Sequence, residues 1–173
     1  RKARIRSPMK LEALGYFLIS NIGRALSYRR ISATLNLAVD TLKEYLALFE
    51  KACLFFYLPP FTYSTKAKLR EPHQRKIYTA DPGLRNACAL AHERDLGYLA
   101  ENLVFQSLRH HKILGYLEKP EIDFAYFDGG NHLVQVSYTD DIPERELVPF
   151  RKIKLKVKSR RLITKTTHDT HRD

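Results

Sequence analysis

Three oxygen-bearing side chains, Glu101, Asp123 and Gln135, follow one another in an order that suits a divalent cation and a phosphodiester. Glu101 lies in a helix-period segment, Tyr98-Leu99-Ala100-Glu101-Asn102-Leu103-Val104-Phe105. Asp123 lies in the alternating run from Glu121 to Phe127, and Gln135 and Ser137 in a second run from His132 to Tyr138. Alternation of this kind marks strands. Phosphodiester hydrolysis uses a metal to polarise the phosphate and to activate water. Mg²⁺ is held for that work by one or two carboxylates and keeps several waters. Asp123 is the candidate metal ligand, Glu101 would assist through a water, and Gln135 offers a carbonyl oxygen but no charge. Ser137 cannot replace an ammonium that orients water and stabilises developing negative charge. Lys152 or Lys154 would have to supply a migrated cation. The set reads as a degenerate site, with Asp123 and Glu101 kept as hydrogen-bonded residues at a helix–sheet seam.

These residues need a scaffold, and the hydropathy pattern supplies one. The spacing predicts a helix over Leu96–His111, strands over Ile113–Glu118, Glu121–Phe127 and His132–Tyr138, a helix over Pro143–Lys158 and a strand over Arg161–Thr164. Asp128-Gly129-Gly130-Asn131 is a hairpin turn, because glycine adopts positive φ without penalty. Pro143 suits a first helical turn, where a missing N–H costs nothing. His110 and His111 are expected at the helix end, beside the negative pole of its dipole. The tail from Thr166 is expected to fray, with His168 and His171 solvated.

The first half reads as three helices and a hairpin. Leu11, Leu14, Leu18 and Ile22 lie at helical spacing in Lys10–Ile22. Ser27 caps a second helix running to Leu35, with Ile31 and Leu35 facing inward. A third presents Val39, Leu42, Leu46 and Phe49. Strands over Cys53–Leu58 and Arg75–Ala80 flank a basic loop carrying Lys66, Lys68 and Arg70. Helix, helix-turn-helix and a two-stranded wing form the winged-helix arrangement. The fold class is therefore α+β. Residues 1–83 are expected as a winged helix with a basic arm and wing, and residues 84–173 as an α/β domain with an αβββαβ core and a mixed sheet. A short helix over Leu84–Ala91 would join them.

Charge is placed unevenly along the chain. The net charge is +11, and Arg1 to Lys76 holds 15 basic and 5 acidic residues, against 15 and 14 from Ala80 onward. Such an excess favours a polyanion, most simply nucleic acid, through counterion release. On the third helix Val39, Asp40, Lys43 and Glu44 are a mixed set, poorly suited to reading bases. Arg24, Arg29, Arg30, Lys43, Lys66, Lys68, Arg70 and Lys152, with the arm Arg1, Lys2, Arg4 and Arg6, are better suited to the phosphate backbone. No apolar run reaches the roughly 18 residues of a membrane span, so no membrane partner is expected. Cys53 and Cys88 lack metal-ligand or redox spacing and read as core thiols of a cytoplasmic protein. There is no glycine-rich phosphate loop followed by Lys-Ser or Lys-Thr, which excludes nucleotide binding of that type. The chain opens on Arg1 with its single methionine at Met9, as expected of a piece of something larger.

Helix Glu, strand Asp and a pair two residues apart on the next strand is the order found in PD-(D/E)XK nucleases, where the last pair is an acid and a lysine. Taken with Tyr45-Leu46-Ala47-Leu48-Phe49-Glu50, Leu58-Pro59-Pro60-Phe61, Arg75 to Leu84, Glu101 to Phe105 and Glu121-Ile122-Asp123-Phe124, the chain resembles the C-terminal region of archaeal and bacterial AAA-type ATPases. The resemblance runs from Lys10 to Thr164. It implies a winged helix followed by a restriction-endonuclease-like domain of undefined role, with the ATPase upstream or on a partner chain. The charge asymmetry and the incomplete motif, taken with it, lead us to expect a DNA-associating, non-catalytic module. An Mg²⁺-dependent nuclease and a protein-interaction or oligomerisation module are the alternatives.

Overall fold

The computed structural model describes residues 5, 7–62, 75–88, 96–142 and 144–165, with the backbone of 168–172. It divides into two compact units, Arg1–Tyr57 with His73–His92, and Leu58–Pro72 with Glu93–Asp173. The class is α+β.

In the first unit, α1 (Pro8–Ile19) begins earlier than its apolar spacing predicts, because Ser7 and Pro8 start it. The Ser7 hydroxyl accepts the Lys10 N–H at 3.4 Å, and proline in the first turn gives up no helical hydrogen bond. Helix α2 (Tyr28–Leu35) is capped as expected, with the Ser27 hydroxyl accepting the Arg30 N–H at 3.3 Å. It stops at Asn36, whose left-handed φ of 48° ends the helix. In α3 (Val39–Lys51) the buried residues are Leu42, Tyr45 and Leu46, and they share a core with Leu14, Leu18 and Ile31. Val39, expected on that face, is exposed. Strands β1 (Phe55–Leu58) and β2 (Lys76–Thr79) form the small antiparallel sheet. The segment before α2 extends this sheet: Gly23 N–H donates to Ile77 O at 2.7 Å, Ile77 N–H to Arg24 O at 3.1 Å and Leu26 N–H to Arg75 O at 2.8 Å. Helix α4 (Pro82–Cys88), expected as a connector, packs on α1. Cys53 and Cys88 are both exposed, contrary to the expectation of core thiols. Cys53 has a φ of 55°, since it carries the turn from α3 into β1.

The second unit holds α5 (Leu96–Leu108), β3 (Leu114–Glu118), β4 (Glu121–Phe127), β5 (Asn131–Ser137), α6 (Glu144–Lys152) and β6 (Ser159–Thr164). Strands β3, β4 and β5 pair antiparallel in that order, and β6 joins β5 in parallel after the α6 crossover. The sheet is therefore mixed. The backbone of β7 (His168–Arg172) pairs antiparallel with β6, so the tail expected to fray extends the sheet edge. Ile122, Ala125, Leu133 and Leu162 form one core with Phe150 of α6 and Val157. Phe124 meets Phe105 of α5, with ring centroids 6.5 Å apart.

Two further expectations need correction. Helix α6 ends at Lys152 and not Lys158, because Ile153, Leu155 and Val157 turn to the core at a two-residue period that a helix cannot satisfy. His110 and His111 lie past the end of α5, where His111 stacks on Tyr126 at 4.1 Å and Tyr126 on His132 at 4.7 Å. Pro143 falls outside the described residues. Among the described residues no helix is long and apolar enough to cross a membrane.

Before β3, the chain lays Pro59–Phe61 along the sheet edge: Phe61 N–H donates to Tyr116 O at 2.8 Å and Tyr116 N–H to Pro59 O at 3.2 Å. Gly115 permits this approach, since a Cβ there would stand 2.5 Å from the Phe61 backbone. We expect Gly115→Ala to cost about 1–3 kcal/mol through forced backbone movement. Gly97→Ala, with no atom within 4 Å of the new methyl, should stabilise α5 by up to about 1 kcal/mol. Urea denaturation of the two variants measures both signs.

The imidazole stack has its own titration signature. Desolvation, then the neighbouring His110, lowers the His111 pKa below its ordinary 6.5, while Asp128 pulls it back up. A histidine harder to protonate when folded makes the native state less stable as pH falls through about 6.5. In an NMR titration His111 should protonate below that value, and His110→Ala should move its midpoint upward.

Candidate functional site

Asp123 sits at a β-bulge. The β3–β4 register passes from Gly115↔Ala125 to Leu117↔Ile122, leaving Asp123 and Phe124 together opposite Tyr116. A bulge bends its strand and re-aims the side chain it carries. Here it coincides with a fork in the sheet. The β4–β5 ladder runs from Phe127↔Asn131 to Phe124↔Val134, while β5 stays paired with β6 as far as Ser137↔Thr164.

Beyond Phe124 the link between β4 and β5 passes to side chains. Val136 N–H donates to Asp123 Oδ2 at 3.0 Å, and Asp123 N–H donates to Gln135 Oε1 at 3.2 Å. Each strand therefore satisfies a backbone donor with a side-chain oxygen from the other. Gln135 Nε2 donates in turn to Glu146 Oε2 on α6 at 3.0 Å, and Glu146 Oε1 lies 3.4 Å from Arg145 Nε. Asp123, Gln135 and Ser137 are all buried. Buried backbone N–H groups need partners, and this exchange provides them where the ladder stops.

The structure thus joins Asp123 to Gln135 and adds Glu146, which the sequence reading missed. Its signal was a carboxylate in the first turn of a helix, which is ordinarily read as a favourable partner of the helix dipole. Glu101 is buried on α5, the helix packed on β5. The Gln135 oxygen, considered as a metal donor, accepts the Asp123 N–H instead. Ser137 Oγ lies 3.0 Å from Thr139 Oγ1, and that hydroxyl donates to Asp141 O at 2.7 Å. Its proton being committed, Ser137 is the donor to Thr139. Lys152 and Lys154 are exposed, in contrast to the buried Asp123. Among the described residues no three His, Cys, Asp or Glu side chains are placed to hold a metal ion.

The basic residues fall into separate groups. Arg24, Arg29 and Arg30 are exposed before and within the first turn of α2. Cations at that end of a helix face its positive pole, a local electrostatic cost. Lys43 is half-buried on α3, between the exposed Asp40 and Glu44. Arg1, Lys2, Arg4, Arg6, Lys66, Lys68 and Arg70 lie outside the described residues.

A family profile, the domain of unknown function DUF8612, matches residues 1–95. The chain belongs to that family. The DUF8612 match takes in α1 to α4 and the small sheet, and ends one residue before α5 begins. Glu101, Asp123, Gln135 and Glu146 all lie beyond it. No curated protein and no solved structure matches the chain significantly.

The hydrogen-bonded fork has a measurable consequence. Gln135→Ala removes the acceptor of a buried N–H and a donor to Glu146, and should cost about 1–3 kcal/mol, the price of unmade buried bonds. Equilibrium denaturation beside an exposed control such as Lys154→Ala measures it.

Proposed function

We propose that this chain is a non-catalytic, DNA-associating module that serves as the C-terminal region of an AAA-type ATPase, with the motor upstream or on a partner chain. On this reading the first unit is a winged helix. Helices α1 to α3, strands β1 and β2 and the short segment Gly23–Leu26 on the sheet edge support that assignment. The second unit is a restriction-endonuclease-like domain, supported by the αβββαβ order and the parallel β5–β6 pair.

The observation that carries the non-catalytic reading is the engagement of Asp123 and Gln135 with each other's strands. Metal-assisted hydrolysis needs oxygen ligands open to a cation and water, and a cation beside the reacting phosphate. Asp123 Oδ2 and Gln135 Oε1 each accept a backbone N–H, and a serine hydroxyl stands where the nuclease pattern has lysine. A scaffold can outlast its chemistry.

DNA association rests on charge. The excess of 15 basic over 5 acidic residues from Arg1 to Lys76 favours contact with phosphates and not with base edges. The acidic Asp40 and Glu44, exposed on α3, argue in the same direction.

Incubation with supercoiled plasmid and Mg²⁺ or Mn²⁺ should leave the DNA intact. Metal-dependent nicking that Asp123→Ala abolishes would overturn the non-catalytic reading. Duplex binding should weaken steeply with salt, with log K falling about 0.9 per log salt for each phosphate contacted. Binding that ignores salt, or none at low salt, would remove the DNA reading.

A further inference from the structure

The stretch Lys152-Ile153-Lys154-Leu155-Lys156-Val157-Lys158 alternates cation and apolar residue without interruption. Lys152 closes α6, and residues 153–158 run on without helical structure to β6. Ile153, Leu155 and Val157 pack into the sheet core, and Lys152, Lys154, Lys156 and Lys158 are all exposed. In a helix these four lysines would be spread around the axis. Because alternate residues turn inward, the four lysines face away from the core, on a segment that bends at Leu155 and Lys158.

This row is fixed in place. Lys158 N–H donates to Asn131 O at 2.7 Å, and Asn131 Nδ2 donates to Lys156 O at 2.7 Å. The Lys158 stem lies across the β4–β5 turn, where a Cβ on Gly130 would stand 3.0 Å from Lys158 Cβ. Among the described residues, none of the four ammonium groups is paired with a carboxylate. Holding like charges in a row without counterions costs free energy that a polyanion would recover. At the Asn131 end, Phe127 pairs with Asn131 in the β4–β5 ladder and is 42% exposed. By strand alternation it projects to the side of Ala125, the side on which Val157 packs.

We propose that this lysine row is a binding track for the sugar-phosphate backbone of single-stranded nucleic acid, with Phe127 offering a face for an unpaired base. The lysines supply a run of cations for a phosphate backbone, and the exposed ring supplies sequence-tolerant stacking. A duplex has no unpaired base for Phe127, which is why a single strand fits better. The inference rests on the nucleic-acid reading above and adds a second contact surface, on the other unit.

Fluorescence anisotropy with the full chain tests it, using labelled oligo-dT, oligo-U and a mixed-sequence duplex. Lys154→Glu/Lys156→Glu should lower oligo-dT affinity at least about ten-fold and flatten its salt dependence by about 0.7 per lysine lost. Lys154→Gln/Lys156→Gln should act in the same direction, more weakly. Phe127→Ala should lower affinity about five-fold or more and leave the salt slope unchanged. Duplex affinity, which the reading above assigns to the first unit, should change by less than about two-fold. Oligo-U weakened in parallel with oligo-dT extends the track to RNA; oligo-U left unweakened would overturn the backbone mode. Oligo-dT binding untouched by either lysine pair would overturn the track. Equal loss on duplex and single strand would overturn the single-strand assignment. If wild-type protein binds duplex but not oligo-dT, the track fails and the DNA reading stands. If it binds neither, the DNA reading itself fails.

Discussion

Where β4 and β5 part, the sheet has to satisfy backbone donors that no neighbouring strand can reach. The Asp123 carboxylate takes the Val136 N–H, and the Gln135 amide takes the Asp123 N–H. Much of the second unit depends on this exchange. It holds the fork closed on one side of the bulge, lets β5 continue its parallel pairing with β6, and ties the sheet to α6 through Glu146. A carboxylate and an amide meet the requirement because both present sp² oxygens to strand N–H groups. An apolar pair of similar size would leave both donors buried and unpaired, at a cost comparable to losing the hydrogen bonds outright.

The same constraint bears on chemistry. A nuclease-like fork needs its carboxylates turned toward a cation, and it needs a lysine to steady the attacking water. In this chain the polar groups are turned toward the protein. Gln135 brings no charge that the buried position would have to offset, and Ser137 forms a local bond to Thr139. Burial of these groups is tolerated because they hydrogen-bond to one another and to strand backbone. An amide and a hydroxyl thus suit the interior of this sheet. Among the described residues, exposed cations lie instead on the first turn of α2 and along 152–158.

Much of the element order was legible in the sequence. Strand β4 fell where alternation placed it, β3, β5 and β6 fell within two residues, and Ser27 capped α2 as its side chain predicts. These features are local: capping and period-two patterning act within a few residues. The helix expected through Lys158 ends at Lys152, in keeping with the period of two in Lys-Ile-Lys-Leu-Lys-Val-Lys. The cysteines differ from expectation for another reason. Their exposure depends on where α3 turns into β1 and where α4 packs, and composition does not report either.

The sequence by itself determined the secondary elements and the imbalance of charge between the two halves. It also determined that no lysine follows Gln135 at the required spacing. Each is a property of residue type and local periodicity. Tertiary structure alone decided that Asp123 stands on a bulge, that Gln135 bonds to its backbone, and that Glu146 completes the cluster. It also brought Asn131 to the backbone of Lys156 and Lys158, tying the end of the lysine run to the β4–β5 turn. Those outcomes depend on register and on contacts between residues far apart in the chain. A one-residue shift in pairing would turn each side chain to the other face of the sheet.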